Sequence, residues 1–302
     1  MDSTATTAFA GAFRPEPEDH ALERVRAEIV RLGLQSHAFD LDTQGFTVLT
    51  PEDLDAGDLP TRLREALLDI AEAESGHRPD LDGAGPSGTR TAIGEGQFLA
   101  QVLFRDRAFE EALLNEKALA LITYLLGENC TLSSLNAMLK SAGRDNLELH
   151  TDQVGTPAPF PAYAQVANAT WVLSEYSRDH GSILFVPGSH RWARHPNRDE
   201  AVDLSLAVPV EARPGSLIVW HGNTWHGALA RKTPGLRVSL IGYYCRWYLL
   251  PQVLYRQITP AEVLARNPAR FSTLMGRRTP YAGPDLDGPH PSLSLAQLSQ
   301  YS

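Results

Sequence analysis

Apolar residues recur at helical spacing through the first part of the chain. Leu22, Val25, Ile29 and Leu32 mark an amphipathic helix from Glu18 to Leu32, and Gly33 follows as its C-cap. The same spacing predicts helices over about 60–74, with Leu63, Leu67, Leu68 and Ile70 inward, and over about 107–126, ending at Gly127. Between the first two, "GFTVLT" (45–50) reads as a strand that runs into "TPEDL". There Thr50 is a cap and Pro51 suits a first helical turn. Residues 1–15 read as a loose arm. Residues 76–95, with five glycines, two prolines and no periodicity, read as a long surface loop.

After Gly127 the period changes from helical to strand-like. Apolar segments follow one another at about 129–140, 146–152, 164–174, 182–187, 206–211, 216–221, 225–230 and 236–247, separated by turn signals such as "SRDHGS", "ARPGS" and "KTPG". Helices first and then a run of short strands predict an antiparallel sandwich or barrel with helices packed outside. The reading is one domain: a helical part over 1–127, a barrel core over 128–250, and a Pro-rich extension over 251–302. The extension contains a helix beginning at Thr259-Pro260 and packs on the barrel.

Composition narrows the class. The chain has 302 residues, 43% hydrophobic and 21% charged, the profile of a water-soluble globular protein with a substantial core. A formal charge of −9 argues against nucleic-acid binding, which needs a basic surface. The N-terminus lacks a basic start followed by an apolar run, and no apolar stretch reaches the roughly 20 residues that span a bilayer. Cys130 and Cys245, in apolar surroundings, read as buried free thiols, which fits a reducing compartment, and the expectation is a cytoplasmic protein.

The stretch "LELHTDQ" (147–153) carries the first candidate chemistry. On a strand, His150 and Asp152 stand two positions apart and share a face, the local geometry of a chelate. A third ligand must come from elsewhere. His180 and His195 sit in loop contexts, and His190 lies in "PGSH". "PGSLIVWHGNTWHGALA" offers His221, ending one strand, and His226, opening the next. Spaced by five, these two cannot both face inward on one strand. Two neutral imidazoles and a carboxylate form the facial set of non-haem Fe(II) oxygenases, which leaves open positions for a 2-oxo acid and dioxygen. A distal carboxylate on that acid calls for an arginine fork. Arg237, in "GLRVSL", follows His226 by one strand, with the Ser239 hydroxyl on the same face.

With these residues in view, the chain resembles the phytanoyl-CoA dioxygenase family of Fe(II)/2-oxoglutarate oxygenases. The matching stretches are "LHTD" (149–152), "GSILFVPGSHRW" (181–192), "PGSLIVWHGNTWHGA" (214–228) and "RVSL" (237–240), within a likeness covering roughly 45–250. The resemblance implies a mainly β fold with flanking helices, a double-stranded β-helix (jelly-roll, cupin-like barrel). It implies Fe(II) held by His150, Asp152 and His226, with 2-oxoglutarate and O2 as co-substrates. Arg237 would grip the distal carboxylate, Ser239 would assist, and Asn136 and Thr170 would make further co-substrate contacts. His221 is then not a ligand, and His190 shapes a loop. Trp171, Phe185, Trp220 and Trp225 read as core aromatics.

Three function classes follow: a dioxygenase, most simply a hydroxylase of a small-molecule metabolite; a non-redox metal isomerase or hydrolase on the same barrel; and a catalytically silent binding protein. A metal hydrolase has no use for Arg237, and an intact triad argues against a silent protein. Substrate choice falls to the irregular segments 76–95 and 153–165 and to the tail after 250, none of which carries the basic cluster a coenzyme A phosphate would need. "GTPAPFPAY", directly after the ligand strand, is expected to form one wall of the substrate entrance, and the expected partner is a small-molecule metabolite, including one of natural-product metabolism.

Overall fold

In the computed structural model, eleven strands among the described residues form two antiparallel sheets. The structure describes residues 20–83, 89–91, 94–278, 287 and 300–301; the expected arm at 1–15 lies outside them. In chain order the strands are β1 Phe46–Leu49, β2 Thr89–Thr91, β3 Gly94–Leu99, β4 Thr131–Lys140, β5 Leu147–His150, β6 Val166–Val172, β7 Ile183–Phe185, β8 Val208–Pro209, β9 Leu217–His221, β10 His226–Ala228 and β11 Arg237–Cys245. The large sheet has the order β1-β9-β6-β11-β4-β3-β2, and the small one β5-β10-β7-β8. From β4 onward the chain crosses repeatedly between the two sheets, while β2-β3-β4 and β7-β8 stay side by side, the arrangement of a jelly-roll with an open rather than a closed wall. All eight strand segments read from the sequence after Gly127 are present.

The alternation of side chains along the large sheet divides its two faces. Leu135, Ala137 and Leu139 of β4, Ala169 and Trp171 of β6, Leu217 and Val219 of β9, and Val238 and Leu240 of β11 all point outward. There they meet the helices Leu59–Ser75 and Glu116–Leu126 in one core. Each fully buried leucine contributes about 1.5–3 kcal/mol over an exposed one, so this face anchors the helices. The tail joins the same core through Val253, Tyr255 and Phe271. The other face looks toward the small sheet, where Phe46 and Phe185 stack at 4.4 Å and Phe185 meets the edge of Trp220 at 5.5 Å.

Three expectations are corrected. The helix predicted over 107–126 is two, Arg107–Leu113 and Glu116–Leu126. Asn115 between them caps the second, its Oδ1 accepting from the Ala118 amide, since a short amide side chain competes for the backbone and favours a cap over a helix interior. Within the region read as the loop 76–95, the structure places β2 and the start of β3, a hairpin at the sheet edge. Glycines there signalled a loop, but Gly96 serves close approach: a Cβ on it would meet the Leu139 carbonyl. Finally, β5 ends at His150, not at residue 152. At Thr50 the expected cap is present as a full capping box with Asp53. Cys130 and Cys245 are both free and buried, and burial pushes the Cys245 thiol up to about 11. Among the described residues no helix is long and apolar enough to cross a membrane.

Candidate metal centre

β5 and β10 are antiparallel, with His150 directly opposite His226. Two residues of β5 then face the single Gly227 before Ala228 pairs with Leu147, so β5 carries a bulge beside the site. A Cβ on Gly227 would stand 2.4 Å from the Leu147 carbonyl oxygen; only glycine lets the strands approach this closely. The two imidazole centroids are 4.3 Å apart as a result.

Asp152 is placed differently from the sequence reading. It lies in a bend past β5, so strand alternation does not set its direction. Its amide donates to Gly222 O at 2.9 Å, tying it to the end of β9. Its Oδ2 accepts from Asn168 Nδ2 at 2.8 Å and from Trp220 Nε1 at 2.9 Å. The Tyr243 hydroxyl donates to its carbonyl at 2.9 Å. Asp152 is therefore held by four hydrogen bonds to the large sheet and the end of β9, two of them to its carboxylate, while both histidines belong to the small sheet.

The ligand atoms of His150, Asp152 and His226 all lie within 4.8 Å of one another, and His226 Nε2 is 3.6 Å from Asp152 Oδ2. Both imidazoles are oriented the same way. His150 Nδ1–H donates to Glu148 O at 2.8 Å and His226 Nδ1–H to Thr224 O at 2.9 Å, which leaves each Nε2 lone pair free. Burial pushes His226 down to about 4, against the pull of the Asp152 charge, so at neutral pH it is the uncharged imidazole that a metal requires.

His221 stands apart from this set. Its Nδ1 accepts from the Asn223 amide at 3.0 Å, and burial holds it down to about 3. It lines a separate cavity of ≈540 Å³, together with Phe160, Tyr163, His190 and Arg246. His190 donates from Nε2 to Asp42 O, a contact that fixes its loop against the helix Gln35–Thr43.

The inner face of the large sheet continues away from the triad through Asn168, Thr170 and Val172 of β6 and Tyr243, Ile241, Ser239 and Arg237 of β11. Arg237 is 6% exposed, lies over the Tyr176 ring at 4.9 Å, and donates from Nη1 to Gly181 O. Its Nε has no partner among the described residues. Nor have the buried hydroxyls of Thr170, Ser239 and Ser182. Buried polar atoms are nearly always hydrogen-bonded, so four orphans on and beside one polar face mark the place of a polar ligand. Arg231 adds a second buried guanidinium, its charge disfavoured by burial and by neighbouring Arg237. Asn136 lies on the same face, but both ends of its amide are engaged. Oδ1 accepts from the Gln101 amide and Nδ2 donates to Ser134 Oγ.

The sequence reading did not single out Asn168, Tyr243, Ser182 or Arg231, and it took Trp220 as core. Period-two counting would have reached two of these: Asn168 precedes Thr170 by two, and Tyr243 follows Arg237 by six, on the same face. Ser182 directly precedes β7, and Arg231 lies past β10 in an isolated bridge with Ala142, so neither belongs to the inner face that the counting follows.

The sequence signature described as phytanoyl-CoA dioxygenase (PhyH) matches residues 42–239. Dioxygenase af480 of Aspergillus fumigatus is 31% identical over 161 residues, which are 52% of this chain and 51% of that protein. An uncharacterised protein of Mycobacterium tuberculosis, Rv1501, is 31% identical over 121 residues, 40% of this chain and 43% of its own. The chain thus spans about half the length of the curated relatives it matches, or less. Among solved structures, EctD from S. alaskensis with bound Fe superposes with a TM-score of 0.56 at 18% identity, covering 70% of this chain and 76% of that one. HygX from Streptomyces hygroscopicus, with nickel, 2-oxoglutarate and hygromycin B bound, gives 0.54 at 18% identity, covering 72% and 89%. At these identities the likeness is one of fold.

Proposed function

Since the chain belongs to the phytanoyl-CoA dioxygenase family, we propose that it is an Fe(II)- and 2-oxoglutarate-dependent dioxygenase. It hydroxylates a C–H bond of a small-molecule metabolite and releases succinate and CO2. The observation that carries this reading is the pairing of the His150–Asp152–His226 set with the buried, partly orphaned Arg237 on one sheet face. The chemistry of the donors fits the metal: two imidazoles that present Nε2 from the paired strands β5 and β10, and one carboxylate from the bend that follows β5.

When bound, Fe(II) with 2-oxoglutarate and O2 supplies the oxidising power. The protein's part is to hold and orient. His150 and His226 present Nε2, their tautomers set by Glu148 O and Thr224 O. Asp152 presents a carboxylate steadied by Asn168 and Trp220. Arg237 offers its free Nε to the distal carboxylate of 2-oxoglutarate, and the Ser239 and Thr170 hydroxyls offer further donors along the same face. Asn136 keeps spare hydrogen-bonding capacity for the same ligand, since an amide can make four bonds. The helical part before residue 128 and the segment after 250 support this barrel as one catalytic unit.

The test is succinate production from 2-oxoglutarate under air with Fe(II), while a metabolite library is screened. Protein that takes up no Fe(II), or no 2-oxoglutarate in its presence, would refute the reading.

A further inference from the structure

The end of β9 serves both faces of the large sheet. Trp220 faces the metal centre and donates to Asp152. His221, the next and last residue of the strand, pairs with Ala167 and turns to the opposite face. There it borders the cavity of ≈540 Å³, on the side that carries the helices. Leu41 of the helix Gln35–Thr43 and Tyr124 and Leu125 of the helix Glu116–Leu126 form one wall. Phe160 and Tyr163, from the segment beyond Asp152, form another. None of His150, Asp152, His226 and Arg237 lines this space, so it is distinct from the candidate metal centre. Its volume is that of a site for a small organic molecule.

The polar groups of the cavity are unequally satisfied. His221 is 6% exposed, and its Nδ1 accepts from the Asn223 amide at 3.0 Å, so the ring proton sits on Nε2. That Nε2–H has no partner among the described residues. Buried donors nearly always have an acceptor, so this one marks the place of an acceptor from outside the chain. Two guanidinia line the same space, and neither is ion-paired among the described residues. Arg246, 4% exposed, donates to the carbonyls of Ala164, Leu125 and Gln300, with the Tyr163 ring 4.7 Å away. Arg191, at the exposed mouth, donates to the Asp42 carbonyl. The one carboxylate in the lining, that of Asp42, accepts from the Tyr124 hydroxyl at 2.7 Å. Two positive charges thus stand against one negative, and the deeper of them is held by carbonyl dipoles only.

An anion entering here would accept from the His221 Nε2–H and offset the surplus positive charge. Both favour an ionised acceptor over a neutral one. The rings of Tyr124, Phe160 and Tyr163, with the two leucines, call for a flat apolar body behind that anion. We propose that the cavity is a second ligand site, which takes a small organic monoanion: a carboxylate carried on an aromatic ring system. The proposal stands independently of the oxygenase reading, since none of the lining residues belongs to the metal centre.

The experiment is isothermal titration of the full chain, supplied with Fe(II), with benzoate, indole-3-acetate and 2-naphthoate, beside the corresponding amides and inorganic phosphate. At least one carboxylate should bind saturably, about tenfold or more tighter than its own amide. His221→Phe keeps a ring, removes the Nε2–H and should weaken that carboxylate about tenfold. Arg191→Gln alters only an exposed side chain and decides the matter if His221→Phe misfolds; it should weaken binding about threefold, and added salt should weaken the wild type. Arg237→Gln, on the other face of the sheet, should leave the affinity unchanged. Binding lost in Arg237→Gln but kept in His221→Phe and Arg191→Gln overturns the proposal. So does saturation by none of the carboxylates, or equal affinity for carboxylate and amide. Phosphate bound as tightly as the carboxylates would overturn it too, leaving an adventitious ion only.

Discussion

His150 and His226, 76 positions apart in the chain, are directly opposed residues of one antiparallel pair, and their rings stand 4.3 Å from each other. The pairing of β5 with β10 therefore builds two-thirds of the candidate metal site in a single step. Asp152, in the bend that follows β5, is held in place by the other sheet. The purified protein should bind one Fe(II) per chain. His150→Ala, Asp152→Ala and His226→Ala should each abolish it, while His221→Ala should keep most of it. Metal analysis after gel filtration decides this, and loss in the His221 variant with retention in the His226 variant would reverse the assignment.

Trp220 and Asn168 hold the carboxylate that comes from the far side. Trp220→Phe keeps the ring and removes the Nε1–H that Asp152 accepts. Partners of metal ligands commonly contribute 10- to 100-fold in metal affinity. Competition with a chelator should show a loss in that range for Trp220→Phe and for Asn168→Ala, at nearly unchanged fold stability. An unchanged Fe(II) affinity in both would mean that the Asp152 bend is fixed by its backbone ties alone.

Arg237→Gln removes the fork from the proposed 2-oxoglutarate pocket. Truncating one partner of a buried, hydrogen-bonded charge pair costs about 2–5 kcal/mol. That corresponds to a roughly 30- to several-thousand-fold weaker co-substrate. Arg237→Lys keeps charge without the planar fork and should fall between. Fe(II) binding should survive in both. Anaerobic titration of 2-oxoglutarate into the three iron-loaded proteins tests this, and equal affinities would remove Arg237 from the site.

Gly227→Ala should damage site and fold together. Its Cβ would press on the Leu147 backbone, which cannot yield as a flexible side chain would. Overpacking of this kind costs about 1–3 kcal/mol. Denaturant unfolding should show that loss, and Fe(II) affinity should fall with it, because the strain lies between the two histidine strands. A variant destabilised without any change in metal binding would contradict the link.

His221 predicts an acid limb of stability. Burial lowers it from the ordinary histidine value of 6.5 to about 3, so the folded protein keeps it neutral where the unfolded chain would bind a proton. Its contribution is fully present above pH 6.5 and is lost progressively as pH falls from 6.5 toward 3. Between pH 6.5 and 5 the loss is about 2 kcal/mol. Unfolding free energies measured across that range should fall for the wild type and fall less steeply for His221→Gln, in which buried His226 still contributes. Parallel curves would place the acid sensitivity elsewhere.

The strand segments of the second half, though not their order in the sheets, were legible because each alternates or runs apolar between clear turn signals. The triad was legible as residues, and His226 could be separated from His221 only by family likeness; the structure separates them by giving the His221 Nδ1 lone pair to the Asn223 amide. What the sequence hid was tertiary in origin. β3 exists because β4 offers it a partner, Asp152 faces its neighbours through Gly222 and Trp220 rather than through strand alternation, and the break at Asn115 is a cap inside an otherwise helical pattern.

The large sheet acts as a partition with a reading frame. Ser239 and Leu240, or Thr170 and Trp171, are joined by one peptide bond yet belong to the site and to the helix-bearing core respectively. Inserting or deleting one residue in β4, β6 or β11 would exchange the two sets wholesale, putting leucines in the pocket and hydroxyls under the helices. Changes of chain length in a lineage of such proteins must therefore collect in the connections, while the strands vary by replacement only. The connection that follows Asp152 is free to lengthen or shorten at the rim without disturbing that frame. A library that randomises alternate positions of these strands should yield folded proteins at far higher frequency than one that randomises consecutive positions.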